Sequence, residues 1–124
     1  MHSLMSLYEN ALHSIQIGVE DFAASDPRRL LSAIRNIHAG ILLLCKEKLR
    51  RFPNGESLLK QRLEPALGPH GILTLKGVGN KTVDLQGIKE RFASLGIPFN
   101  WADLDRVTKI RNDMEHMFYS GARR

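Results

Sequence analysis

The stretch from Pro27 to Phe52, PRRLLSAIRNIHAGILLLCKEKLRRF, predicts the longest uninterrupted helix of the chain. Asp26 precedes it as a capping residue, and Pro27 suits a first helical turn, where its missing amide proton has no partner to lose. Apolar residues recur in this stretch at the three- and four-residue steps of one helix face: Leu30, Leu31, Ile34, Ile37, Ile41, Leu44, Cys45, Leu49 and Phe52.

Other helices are predicted on both sides of this segment. Ser3–Ala24 has helical spacing, Asp84 can cap a helix over Leu85–Leu95, and Asn100 can cap a last helix over Trp101–Tyr119. A short helical piece is predicted for 57–63. The apolar face of the first helix is expected to consist of Leu4, Tyr8, Ala11, Leu12, Ile15, Val19 and Phe22.

The middle of the chain predicts a small hairpin. Residues 72–76 and 82–84 have the composition of two short strands around the glycine- and asparagine-rich turn 77–81, and the prolines and glycines at 65–71 are expected to prevent regular structure. The prediction is therefore an all-α fold, a four-to-five-helix bundle with a small hairpin-like insertion between the second and penultimate long helices. A single domain over residues 1–124 is expected, because this length supports one core.

Composition narrows the class of protein. The chain has 18 Lys and Arg against 13 Asp and Glu, a formal net charge of +5, which favours polyanionic partners. Cys45 is the single cysteine, so an intramolecular disulfide is impossible and a reducing compartment is expected. No basic leader and no run of about 20 apolar residues is present, which predicts a soluble, cytoplasmic protein without membrane contact.

Two apparent ligand motifs are interpreted as structural. Gly77-Val78-Gly79-Asn80-Lys81-Thr82 resembles a phosphate-binding loop, but Asn80 separates glycine from lysine, so a simple turn is expected. No two of the five histidines have the four-residue spacing of a helical zinc motif, and no metal or cofactor is predicted. His38 borders the apolar stripe of the long helix and is interpreted as a hydrogen-bonded core residue.

The chemistry of the chain is concentrated in the last helix, in Lys109-Ile110-Arg111-Asn112-Asp113-Met114-Glu115-His116. Arginine presents a permanently charged planar fork to phosphate oxygens, and histidine can take or give a proton near neutral pH. Two interpretations remain open at this point. The pattern is either a site for a phosphodiester or a structural Arg111–Glu115 ion pair across one helical turn, with His116 exposed and inactive.

These residues, the segment Ala33–Leu49 with Asn36, Ala39, Gly40 and Ile41, and Thr82-Val83-Asp84 resemble the HEPN superfamily (higher eukaryotes and prokaryotes nucleotide-binding). The resemblance implies a helical domain that dimerises, with Arg-x4-6-His helices of two subunits forming a metal-independent ribonuclease site, as in toxins and defence effectors. Arg111 and His116 match the catalytic pair, and Asn112 the polar residue after the arginine. Glu115 is assigned with Asn112 to binding or orientation. RNA, a second copy and a nucleotidyltransferase-like antitoxin are the implied partners.

The chain also departs from the family. In the toxins that such an antitoxin modifies, a tyrosine follows the motif histidine by two positions, whereas here Phe118 stands there and Tyr119 comes one step later. Some family members do not cleave RNA. The alternative is therefore a non-catalytic HEPN module that binds RNA or a nucleotidyltransferase-like partner, and a third interpretation is a purely structural bundle.

Overall fold

The structure is a computed structural model that describes the backbone of residues 6–122 and the side chains of residues 6–117. The described residues combine α-helices with a two-stranded antiparallel sheet, so the all-α prediction is wrong and the chain is a mixed α and β protein. The elements in order are α1 Leu7–Ala23, α2 Leu30–Arg50, α3 Gly55–Leu58, β1 Lys60–Leu67, β2 Leu73–Thr82, α4 Leu85–Leu95 and α5 Trp101–Ala122.

The chain divides into two compact units. The first unit consists of the chain up to Leu44 together with the segment from Asn100 onward, and the second is Cys45–Phe99. The first unit contains α1, α5 and most of α2, and the second contains the sheet, α3 and α4.

In the first unit, α1 begins at a capping box. The Ser6 hydroxyl accepts from the amide of Glu9 at 3.1 Å, and the Glu9 carboxylate accepts from the amide of Ser6 at 3.2 Å, which satisfies amides that the helix leaves without partners. The predicted helix is confirmed within the described residues. Its buried face differs from the prediction, because Tyr8, Leu12, Val19 and Phe22 are exposed.

Two glycines allow α1 and α2 to approach closely. A Cβ on Gly18 would lie 2.6 Å from Cγ1 of Ile37, and a Cβ on Gly40 would lie 2.5 Å from Cγ1 of Ile15. Residue 18 thus meets the early part of α2 and residue 40 the early part of α1, so the two helices run antiparallel. Only hydrogen at both positions fits this separation.

The connection between α1 and α2 is closed by polar groups. Pro27–Arg29 form a 3₁₀ turn, and Asp26 accepts from the amide of Arg28 at 2.9 Å, so the predicted cap is confirmed. Asp21, which is only 9% exposed, receives hydrogen bonds from Arg29 at 2.6 Å and from the Ser32 hydroxyl at 2.8 Å. These bonds lower the pKa of the Asp21 carboxyl, the bond from Ser32 most of all and that from Arg29 next.

The second unit contains a hairpin that differs in position from the predicted one. β1 pairs with β2 in the register Arg62↔Val78, Glu64↔Lys76 and Leu67↔Leu73, so the turn lies at 68–72. The predicted turn residues 77–81 lie inside β2, and the residues at 65–67 expected to lack regular structure lie in β1. Proline fits within β1 because the sheet has two strands and each strand has one open edge, where a missing amide proton is tolerated.

The two faces of the hairpin differ in chemistry. Residues that share a face alternate along a strand, and one face combines the apolar side chains Leu63, Pro65, Leu67, Leu73 and Leu75. Leu67 and Leu73 are 77% and 68% exposed, so this face is largely open in the chain. On β2, the carbonyl of Leu75 accepts from Asn54 Nδ2 at 2.8 Å.

The helix α4 has the predicted bounds. The Asp84 side chain accepts from the amide of Gly87 at 2.8 Å, and Gly96 ends the helix in the left-handed conformation with φ 71°. Phe92 is buried and contacts Phe99 edge to face. The buried apolar side chains of this unit are Cys45, Leu49, Val83, Ile88 and Phe92.

Candidate functional site

The four predicted site residues lie near the middle of α5, whose start is capped as predicted. Asn100 Oδ1 accepts from the amide of Asp103 at 3.3 Å, and Asn100 Nδ2 donates to the Asp103 carboxylate at 2.7 Å. Among the predicted residues, Arg111 and Glu115 are half-buried, whereas Asn112 and His116 are exposed. The side chains from Phe118 onward, including Tyr119, lie outside the described residues.

The guanidinium of Arg111 is held from two sides. Nε and Nη2 donate to Oδ1 of Asn112 at 3.3 and 2.8 Å, and Nη1 donates to Nδ1 of His38 at 3.2 Å. Asn112 therefore fixes one edge of the planar fork and His38 the other. A guanidinium has five N–H groups, so these bonds leave two for another acceptor, counted over the described residues.

His38 is buried in α2, with 4% of its surface exposed, and its second ring nitrogen is also bonded. Nε2 lies 2.8 Å from the Thr108 hydroxyl, and Thr108 in turn donates to the carbonyl of Leu104 at 3.0 Å. Burial lowers the pKa of His38, and the charge of Arg111 lowers it further. The interpretation of His38 as a bonded core residue is confirmed, but its bond to Arg111 was not predicted.

The ion pair between Glu115 and Arg111, which the structural interpretation expected, does not form among the described residues. The carboxylate of Glu115 accepts from Nε of Arg35 on α2, with 2.7 Å between Oε1 and Nε. This bond lowers the pKa of Glu115, followed by the charges of Arg35 and Arg111. The spacing of one helical turn was compatible with an Arg111–Glu115 pair, but α2 supplies a competing cation that sequence spacing does not show.

His116 and Arg111 point to different sides of α5. Five residues along an α-helix correspond to a rotation of about 140° at 3.6 residues per turn, whereas Asn112 and His116 are separated by only about 40°. The hydrogen bonds bring Arg111 and Asn112 together. His116 is exposed one helical turn after Asn112. Arg111 and His116 of one chain do not converge on a single point.

An apolar groove of about 270 Å³ lies beside α5 in the same unit. It is lined by Pro27, Arg28, Leu30, Leu31, Met114 and Met117. Its walls are mostly methionine and aliphatic side chains, with Arg28 as the charged lining residue, and the polar residues of the motif lie outside it.

The described residues contain no group of three or more His, Cys, Asp or Glu side chains that could hold a metal ion. Cys45 is buried, and burial raises the pKa of its thiol to about 11, which disfavours the nucleophilic thiolate. Among the described helices, none is long and apolar enough to cross a membrane. Comparison of the chain with protein-family models, with curated proteins and with solved structures gives no match.

Proposed function

We propose that this chain is a metal-independent endoribonuclease of the HEPN type, acting on RNA as a toxin or defence effector. The observation that carries the proposal is the guanidinium of Arg111, which His38 and Asn112 hold while two of its N–H groups stay available within the described residues. The exposed His116 lies close to Asn112 on the same helix. A fixed cation and an exposed imidazole are the groups that suit a phosphodiester, and in one chain they lie on different sides of α5.

The reaction uses a nucleophile that RNA supplies. The 2′-oxygen attacks phosphorus and loses its proton to the imidazole of His116, the bond from phosphorus to the 5′-oxygen breaks, and that oxygen takes a proton from an imidazolium. The products are a 2′,3′-cyclic phosphate and a 5′-hydroxyl. Proton transfer by a placed histidine contributes about 10²–10⁴-fold, and one donor aimed at developing charge about 10²–10³-fold.

The rotation of about 140° between Arg111 and His116 supports a site built from two chains. One imidazole cannot act as base and acid on opposite sides of phosphorus in a single step. A second copy related by a two-fold axis supplies another His116, and it allows the arginine of one copy to act beside the histidine of the other. Light scattering at working concentration should give the mass of two chains, and the mass of one chain would contradict this arrangement.

The charge of the chain suits contacts with the RNA backbone. With a net charge of +5, binding should depend on phosphates and weaken steeply with added salt. A nucleotidyltransferase-like antitoxin remains part of the proposal as a partner. Its test is restored growth when both proteins are expressed in the same cells.

The decisive experiment is an RNA degradation assay with the purified chain and EDTA, followed by analysis of the fragment ends. His116→Ala and Arg111→Ala should abolish cleavage. The matched controls are His13→Ala, which removes an exposed histidine from α1, and Arg106→Ala, which removes an exposed arginine from α5, and both should keep full activity. Fragments should end in a 2′,3′-cyclic phosphate.

Other outcomes assign the other functions. If the unmutated chain binds RNA but does not cut it with or without EDTA, the non-catalytic module is the better description. If cleavage persists in His116→Ala, the activity belongs to a contaminant. If Arg111→Ala and His116→Ala change neither RNA binding nor growth inhibition, the motif is structural.

A further inference from the structure

The direction of the hydrogen bonds through His38 follows from Thr108. A threonine hydroxyl has one proton, and Thr108 gives it to the carbonyl of Leu104 at 3.0 Å. Its oxygen must then accept from His38, so the ring proton is on Nε2, 2.8 Å away. Nδ1 therefore carries a lone pair, and this lone pair receives Nη1 of Arg111 at 3.2 Å.

We propose that His38 is a positioning residue for Arg111, a neutral acceptor that fixes the guanidinium without cancelling its charge. The inference rests on the proposed function, in which Arg111 binds the charge that develops on phosphorus. His38 itself is not a catalytic residue, because it is 4% exposed and both ring nitrogens are engaged. It acts on the substrate only through Arg111.

A half-buried arginine is commonly paired with a carboxylate, whereas Arg111 is bound by the neutral imidazole of His38. A carboxylate would compensate the positive charge and weaken the attraction for phosphate. The nearby carboxylate of Glu115 is instead bound by Arg35 at 2.7 Å. Arg111 thus keeps its charge while its orientation is fixed by two neutral groups, the imidazole of His38 and the amide of Asn112.

The burial of His38 maintains this arrangement. Burial and the charge of Arg111 both lower the pKa of His38, so the ring stays neutral at working pH. Protonation of Nδ1 would place a second donor against Nη1 and break the bond. The two hydrogen-bond partners of the His38 ring are the cation Arg111 and the neutral hydroxyl of Thr108.

The test compares three variants that remove one or both of the hydrogen bonds of His38. His38→Asn keeps an acceptor close to the position of Nδ1, His38→Leu removes both bonds, and Thr108→Val removes the acceptor that fixes the tautomer. Steady-state cleavage of a short RNA should show a kcat about 10- to 100-fold lower in His38→Leu with little change in KM, since small misplacements of a positioned group have effects of about this size. His38→Asn should recover most of the loss.

A second readout does not depend on cleavage. In ¹⁵N-labelled protein, the imidazole nitrogens should report the Nε2–H tautomer, and the Nε–H signal of Arg111 should be resolved in the unmutated chain and broadened in His38→Leu. Equal kcat in His38→Leu and the unmutated chain, or the Nδ1–H tautomer, would overturn the inference. An inactive chain with the expected signals would overturn the proposed function and keep the positioning role.

A variant that fails to fold is recognised by its thermal unfolding before kinetics are measured. If His38→Leu does not fold, Thr108→Val and His38→Asn carry the comparison. Thr108→Val removes the acceptor that keeps the proton on Nε2, so the ring can take the Nδ1–H tautomer, lose the bond to Arg111 and lower kcat, whereas His38→Asn should keep most of kcat. A role in packing alone predicts equal kcat in the two variants, which would contradict the inference.

Discussion

The carboxylate of Glu115 is bound by Arg35, with 2.7 Å between Oε1 and Nε, and this bond joins α5 to α2 within the first unit. Glu115→Gln should lower the free energy of unfolding slightly, and the loss should shrink with added salt, because both side chains are partly exposed. A double-mutant cycle with Arg35→Gln, followed by urea unfolding at low and high salt, measures the coupling. The pair Lys109–Asp113 on α5 is a more exposed control, with side chains 76% and 59% exposed. Equal coupling in both pairs would contradict the expectation.

The buried carboxylate of Glu47 should make the chain sensitive to acid. Hydrogen bonds from Arg50 and Arg51, both at 2.7 Å or slightly more, hold the pKa of Glu47 at about 2, below its ordinary value of 4.5. As the pH falls, the carboxyl of Glu47 binds a proton in the unfolded chain before it does so in the folded chain. The stabilisation present above pH 4.5 is therefore lost as the pH falls toward 2. Glu47→Gln should flatten the acid part of the stability curve, and the exposed control Glu90→Gln should leave it unchanged. Urea unfolding at pH 5, 4 and 3 measures the slopes, and identical curves for Glu47→Gln and the unmutated chain would contradict this account.

His38 should add a second pH dependence at a higher pH. Its pKa lies below the ordinary 6.5 because burial, and then the charge of Arg111, disfavour the imidazolium. Below about pH 6.5 the unfolded chain binds a proton that the folded chain does not, so stability falls as the pH decreases, with a slope of at most about 1.4 kcal/mol per pH unit for one proton. His38→Asn should remove this slope, whereas His13→Asn, at an exposed position, should keep it. Urea unfolding between pH 7.5 and 5.5 separates the two variants.

The close approach of α1 and α2 reverses the usual effect of replacing glycine in a helix. Gly→Ala normally stabilises a helix by about 1 kcal/mol, but a methyl at residue 18 would lie 2.8 Å from the carbonyl oxygen of Ala33 and one at residue 40 would lie 2.9 Å from that of Ala11. We expect Gly18→Ala and Gly40→Ala each to lower the free energy of unfolding, since overpacking costs about 1–3 kcal/mol. Asn10→Ala, on the exposed side of α1, should be neutral or stabilising in the same urea experiment. Stabilisation by either glycine substitution would show that the helices are not in close contact.

The helices could be predicted because their signals are local. Asp84 and Gly96 are the cap and the stop of α4, and both act within a few residues of the helix that they bound. The strands could not be located in the same way. Leu67 and Leu73 pair across a turn that contains Pro69 and Gly71, and these residues suggested a long irregular segment instead of a tight connection between two strands.

The candidate site shows the same limit. The adjacency of Arg111 and Asn112 follows from the sequence, and so does their place on an amphipathic helix. The bond from Arg111 to His38 joins residues 73 positions apart, and helical periodicity within α5 holds no information about it. Periodicity also predicted only part of the buried face of α1: Ala11 is buried as expected, but Tyr8, Leu12, Val19 and Phe22 are exposed. The close contact at Gly18 and Gly40, which are not apolar side chains, gives no signal in that pattern.

The hairpin has a property that follows from Pro65 and Asn54. Pro65 has no amide proton to donate from β1, and the carbonyl of Leu75 on β2 already accepts a hydrogen bond from the side chain of Asn54. Additional strands need uninterrupted donors and acceptors, so both edges resist growth of the sheet. The exposed leucines of the hairpin therefore lie between two edges that disfavour strand-to-strand polymerisation.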